Sequence, residues 1–300
     1  MTKKIAVIND LSGFGRCSLT AAISVISAMG IQACPLPTAI LTAQTGYPHY
    51  YLDDYTDKMD IYRQEWQKMG QHFDGIYTGF VASEAQIDQI FHFIDTFYTS
   101  DTFLLVDPVM GDDGIKYDMF TPKLLEKMNA LVGEADIITP NLTELCLLTD
   151  AIIDIADTRI LIDVIGELAS TLLPPDSDNS NALDSRQTSK KEKEIIVTGI
   201  HCKNEHGQKM MGNLYVSKDT RKLFAFPHVG GSYSGTGDLF ASCIAAGKCR
   251  GDGIPELIQL AGTFLEQAIK DSAEENIPYP DGTNYEKYLY MLIKNRVLTL

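Results

Sequence analysis

An α/β fold built on a doubly wound parallel sheet is what this sequence predicts, and three observations predict it. Short apolar runs recur along the chain, stretches of helical period lie between them, and the runs end in Asp, Gly, Pro or Asn. Short continuous apolar runs suit strands buried on both faces of a parallel sheet. Their alternation with helices is the pattern of repeated βα units. In such folds ligands bind beyond the carboxyl ends of the strands.

The elements follow in order. KKIAVIND (3–10) is the first predicted strand, and SLTAAISVISAMG (18–30) is a helix closing on Gly30, the residue a helix C-terminus favours. GIYTGFV (75–81) is the next strand. SEAQIDQIFHFIDTFYT (83–99) opens on a capping serine and places Ile87, Ile90, Phe91, Ile94, Phe97 and Tyr98 on one face. TFLLVDPVM (102–110), ADIITPN (135–141) and EIIVTGI (194–200) are further strands. LPPDSDNSNALDSRQTSKKEKE (173–194) breaks the rhythm, being too polar to order itself by burial. It reads as a long surface loop within the same sheet, with a domain linker as the other reading.

Composition narrows the function. With 300 residues and 45% apolar content the chain can bury a sizeable core, as one large α/β domain or two smaller ones. A net charge of −15 argues against nucleic-acid and anionic-membrane partners, which reward clustered Lys and Arg. An anionic substrate would have to be held locally, by a helix terminus, a few basic residues or a metal. No apolar run has the length of a signal or membrane segment. The six cysteines form no C-x-x-C pair and mostly sit in apolar segments, as reduced thiols do, so a cytoplasmic location is expected. The histidines show no zinc-ligand spacing.

Five short segments carry the chemistry. GGSYSGTGDLF (230–240) packs small residues before Asp238 and then turns helical. A helix beginning there would point unpaired amides outward at the positive end of its dipole. The bare backbone at Gly235 and Gly237 would admit an anion, and Asp238 would accept a proton from a hydroxyl aimed at it. Phosphoryl transfer to an alcohol requires these two things. An ordinary helix start with Asp as a dipole residue uses the same letters, so the motif alone leaves both readings open. TPNLTE (139–144) reads either as a capping box or as Asn141 and Glu144 holding Mg2+ through water. VDPVMGD (106–112) runs a strand into two carboxylates, Asp107 and Asp112. QTGY (44–47) and NDLSGFG (9–15) are polar loops at strand exits, and the latter lacks the G-x-G-x-x-G spacing.

Together, INDLSGFG, TAQTGY, YTGF, VDPVMGD, ADIITPNLTE, IVTG and SGTGDLFAS resemble the ribokinase superfamily, and within it the vitamin B6 branch of pyridoxal, pyridoxine and pyridoxamine kinases. The resemblance implies one ribokinase-like domain over residues 1–300, a central, mostly parallel sheet flanked by helices on both faces, and a homodimer. It implies ATP- and Mg2+-dependent phosphorylation of the 5′-hydroxymethyl group of a B6 vitamer, with a monovalent cation as a further candidate cofactor. By position, Asp238 would be the general base and the Gly235, Thr236 and Gly237 amides the anion hole. Asp107, Asn141 and Glu144 would serve the metal. Asp112, Tyr117, Thr139, Asn141, Thr198 and Gly199 would line the nucleotide, and Asp10, Thr45 and Phe80, with Asp238, the substrate.

Two departures stand out. Asp10 occupies a place where many pyridoxal kinases carry Ser, and the 173–194 insertion is longer than the expected connection. INDLSGFG is somewhat like the N-terminal loop of hydroxymethylpyrimidine (phosphate) kinases of thiamine synthesis, which makes them the rival enzyme reading. That family commonly has Cys at the Asp238 place. A non-catalytic vitamer-binding regulator is the reading from another class, and its mark would be loss of Asp238, Glu144 or Asp107, all of which are present.

Overall fold

A computed structural model describes residues 2–153, 158–175 and 191–293. Its first half runs β1 (Lys4–Ser12), α1 (Ser18–Ala28), β2 (Gln32–Leu41), β3 (Leu52–Asp54), α2 (Thr56–Lys68), β4 (Gly75–Thr78), α3 (Glu84–Phe97) and β5 (Phe103–Val106). A small hairpin, β6 (Gly111–Asp112) and β7 (Ile115–Lys116), then leads into α4 (Pro122–Glu134), β8 (Ile137–Ile138), α5 (Leu142–Thr149) and α6 (Thr158–Ser170). The remainder is β9 (Glu194–Lys203), β10 (Lys209–Val216), β11 (Arg221–Pro227), α7 (Thr236–Arg250) and α8 (Ile254–Glu274), followed by 3-10 turns at Tyr279–Asp281 and Tyr285–Leu292.

The strands form one nine-stranded sheet in the order β11-β10-β9-β8-β5-β4-β1-β2-β3, with the β6–β7 hairpin apart from it. The run from β9 to β2 is parallel, and only β3, β10 and β11 pair antiparallel. This is the mostly parallel sheet with helices on both faces that the sequence predicts. Side chains alternate across it with period two. Ile5, Val7 and Leu105 pack under α1, α7 and α8, whereas Ala6, Ile8 and Leu104 pack under α2 to α6. Each such Ile, Val or Leu, fully removed from water, contributes about 1.5–3 kcal/mol.

β1 has β2 on one side and β4 on the other. The chain therefore leaves β1 in one direction through α1 and comes back to its other edge through α2, which opens a crevice at the carboxyl end of β1. α7 lies between α1 and α8 and is buried nearly all round from Leu239 to Gly247. That explains the small residues of LFASCIAAG. A Cβ on Gly247 would sit 1.9 Å from Leu257 of α8.

Several expected elements are trimmed or extended. The 18–30 helix ends at Ala28, with Gly30 beyond it at φ +83. Ser83 caps α3 by accepting the Gln86 N–H at 3.3 Å, and Phe93 joins the expected buried face. Of ADIITPN only Ile137 and Ile138 are strand, because Thr139–Asn141 turn directly into α5. Of the expected 173–194 loop, residues 176–190 lie outside the described residues. Its end is not surface: Lys193 is buried, donating to the Val132 carbonyl at 2.5 Å, and Glu194 opens β9. Among the described residues no helix is long and apolar enough to cross a membrane.

Candidate active site

The crevice beside β1 is closed by the start of α7. Gly235 precedes the helix at φ 80, ψ 1, and a Cβ there would lie 2.1 Å from the Arg16 carbonyl oxygen. Only glycine satisfies both conditions. Gly237, one residue into the helix, faces open space. The amides of Thr236, Gly237 and Asp238 are thus the free N-terminal donors of a 15-residue helix.

Asp238 stands in that first turn and turns toward β1. It accepts the Asn9 Nδ2–H at 3.0 Å and the Ser18 backbone N–H. Burial raises its pKa to about 6, helped by the charge of Asp10 and opposed by the two donors. Ser18 is a non-glycine residue at φ +49, a strained backbone placed between two carboxylates. Its hydroxyl donates to Asp10, as does the Ser12 hydroxyl at 2.9 Å. Asp10 sits where the β1–β2 register slips between Asn9 and Leu11. Such a bulge re-aims the side chain it carries. Burial pushes the Asp10 carboxyl above its usual range.

A second group of carboxylates lies at the ends of β5 and β8. Asp107 is buried and accepts the Thr139 hydroxyl at 2.8 Å. Glu144 is buried too, and its two oxygens accept the Met110 N–H at 3.1 Å and the Asn141 N–H at 2.8 Å. Asn141 in turn accepts the Glu144 N–H at 2.9 Å, so the capping box that the spacing allows is present. Burial raises both carboxyls, and charge repulsion adds to it: Asp238 acts on Asp107, and Asp107 on Glu144. Among the described residues no three His, Cys, Asp or Glu side chains converge as a ready-made metal cage. Asn141 serves the turn, with its amide donating to the Gly111 carbonyl at 2.8 Å.

The nucleotide-side residues gather around these groups. The β6–β7 hairpin carries Asp112 and is pinned to α5 where the Gly114 N–H donates to the Thr143 hydroxyl at 2.8 Å. Tyr117, just after the hairpin, is 39% exposed, and burial with the charges of Asp112 and Glu144 raises its hydroxyl pKa. Thr198 and Gly199 form a bulge in β9, with Gly199 at φ +70 and the Thr198 N–H donating to the Pro140 carbonyl at 2.9 Å. Phe80, after β4, donates its N–H to Asn9 Oδ1 at 2.8 Å. Thr45 is exposed on its loop.

The sequence reading missed three parts of this arrangement: Asn9, Ser18 and the segment from Pro278 to Gly282. The last crosses the rim of the crevice. The Pro280 carbonyl accepts the Gln44 side chain at 3.0 Å, the Asp281 carbonyl accepts the Arg16 N–H at 3.2 Å, and the Asp281 carboxylate accepts the Tyr47 hydroxyl at 2.5 Å. One strap therefore fixes the loops after β1 and after β2. Asn9 lay inside a motif read for its neighbours, and nothing in PYPDG announces contacts to residues more than 200 positions away.

Known proteins resemble this chain in fold and in sequence. The chain matches the phosphomethylpyrimidine kinase family over residues 15–279. It is similar to a Bacteroides thetaiotaomicron VPI-5482 protein described as a phosphomethylpyrimidine kinase and crystallised with pyridoxal. The two are 33% identical with a TM-score of 0.84, covering 97% of this chain and 96% of that one. The pyridoxal kinase of Lactobacillus plantarum is 25% identical with a TM-score of 0.82, covering 97% of each chain. A Schizosaccharomyces pombe protein described as a pyridoxal kinase is 28% identical over 191 residues, 62% of this chain and 50% of that relative, so the match spans about half of the relative's length. With a family match from the β1–α1 loop to the strap, the chain belongs to the phosphomethylpyrimidine kinase family.

Proposed function

We propose that this chain is an ATP-dependent kinase that phosphorylates the 5′-hydroxymethyl group of pyridoxal, pyridoxine or pyridoxamine. One observation carries the reading: the Asp238 carboxylate stands beside the bare first amides of α7, at the crevice where the strand order reverses. The Bacteroides relative crystallised with pyridoxal supports the substrate class.

In this mechanism the vitamer's alcohol lies against Asp238 and the terminal phosphate against the Gly235–Gly237 amides. The alcohol proton passes to an Asp238 oxygen as the new O–P bond forms and the bond to the ADP leaving group breaks. A loose transition state loses that proton late, so position matters more than basicity. Asp107 and Glu144 would hold a Mg2+ that keeps most of its shell as water and phosphate oxygens, because two buried, mutually repelling carboxylates gain from a nearby divalent cation. Bound there, Mg2+ would neutralise charge on the nucleotide phosphates. Asp10, held by Ser12 and Ser18, faces the base side and bears on vitamer choice. The chain is proposed to act as a single catalytic domain, as a cytoplasmic homodimer.

Purified protein with Mg2+–ATP and each vitamer should yield the 5′-phosphate, and no product above background from any of the three sinks the proposal. Repeating the panel with different monovalent chlorides tests the second cation. Asp238→Asn should lower kcat by at least ~100-fold, the scale of a general base. The wild-type kcat/KM should rise as pH passes through about 6, where Asp238 ionises. The family match favours one rival, hydroxymethylpyrimidine (phosphate) kinase. Side-by-side kcat/KM on pyridoxal and hydroxymethylpyrimidine separates the two.

A further inference from the structure

We infer that Asn9 is a positioning residue, whose carboxamide, locked into the end of β1, aims the Asp238 carboxylate at the reacting hydroxyl. This deepens the kinase reading above and rests on it. Asn9 is 0% exposed. Its Oδ1 accepts two backbone donors, the Asp10 N–H at 2.9 Å and the Phe80 N–H at 2.8 Å. Two N–H groups on one end fix which end is oxygen, so the NH2 end has to face Asp238, and it does, at 3.0 Å to Oδ1. The amide cannot flip without orphaning two backbone donors, one of them buried.

The surrounding chain is shaped to this side chain. A Cβ on Gly79 would lie 2.4 Å from Asn9 Nδ2, so the β4 exit is open just where the amide passes. Asp238 sits on α7 and Asn9 on β1, and the hydrogen bond between them spans 229 positions of sequence. It holds one carboxylate oxygen from the sheet side, which directs the remaining acceptor capacity toward the crevice. It also offsets the nearby Asp10 charge. Asn9 neither gains nor loses a proton: the alcohol O–H breaks, its proton goes to Asp238, and the P–O bond to ADP breaks as the new one forms.

The test separates holding the fold from holding the base. Asn9→Asp keeps an acceptor for the Asp10 and Phe80 amides but replaces the neutral donor to Asp238 with a second carboxyl. Its kcat should fall about 10- to 100-fold, the scale of one charge-assisted hydrogen bond, while KM for ATP and for pyridoxal stays within about threefold and ADP binding by calorimetry is retained. Gly79→Ala, which crowds the amide without changing any charge, should lower kcat in the same direction. A kcat within twofold of wild type in both variants overturns the inference. So does a loss shared equally by KM and ADP binding, which marks a general structural role. In a urea-unfolding cycle on Asn9→Ala, Asp238→Ala and the double variant, the two single midpoint shifts should fail to add, and strict additivity also overturns it. If the wild type phosphorylates no vitamer, the kinase reading falls and the unfolding cycle alone decides the Asn9–Asp238 contact.

Discussion

Gly235 and Gly237 look alike in the sequence, two positions apart in one motif, and the structure gives them different work. Gly235→Ala places a Cβ 2.1 Å from the Arg16 carbonyl in a backbone with φ 80. It should lower stability by more than about 1 kcal/mol, the cost of backbone strain alone, visible as a reduced Tm. Gly237→Ala meets open space and should fold with an unchanged Tm, yet its methyl enters the approach to the helix amides. Loss of activity in a normally stable Gly237→Ala protein would mark that surface as the phosphate contact, and full activity would move the phosphate elsewhere. At this scale the letters marked the carboxylates well. Asp238 and Glu144 stand in the first turns of α7 and α5 and Asp107 just past the end of β5, and the motifs pointed to those places. Asn9 and Ser18 were not legible, because their part depends on a bulge in β1 and on a strained φ that no local pattern encodes.

The start of α5 shows an element in which the cap and the proposed metal site would share atoms. Glu144 satisfies two backbone donors, Met110 and Asn141, and in doing so ties the Asp107–Gly111 turn to the helix. Glu144→Gln leaves one acceptor oxygen for two amides. It should cost on the order of 1–3 kcal/mol, the penalty of a buried unsatisfied donor, read as a lower urea midpoint in protein without nucleotide. Of the two readings of TPNLTE, the capping box is present, and the metal role is part of the proposed function. Among elements, parallel strands with plain apolar runs were readable, whereas β2 was not. Pro35 and Pro37 argue against an interior strand, and they are tolerated because β3 covers only Ala39–Leu41, leaving the prolines on an open edge. β8 was overestimated for the opposite reason: its apolar run is real, but Pro140 and the cap of α5 end it after two residues.

Across the whole molecule, the site concentrates negative charge in an already acidic chain. Asp10, Asp107, Glu144 and Asp238 all have pKa values raised by burial. Groups raised on folding favour the native state while protonated. Their contribution is complete below the unfolded value of about 4 and is lost as pH climbs through the folded values, about 6 for Asp238. Ligand-free protein should therefore lose stability between about pH 4 and 7. Asp107→Asn should show a higher Tm than wild type at the alkaline end and a smaller difference at the acidic end, and an equal difference at both would refute the buried-charge account. The fold class was readable from alternation alone, since burial on two faces leaves a continuous apolar signature. The crevice was readable only in outline, because its walls come from segments whose meeting is decided by topology. One such meeting has a further effect. With the Gly235 backbone close against the Arg16 carbonyl and the Ser18 amide on Asp238, the helix that would greet the nucleotide and the turn that would greet the vitamer are in direct contact. Filling one half should then tighten the other reciprocally: ADP should lower the pyridoxal Kd by the same factor that pyridoxal lowers the ADP Kd, and calorimetric titrations in both orders would read that cooperativity directly.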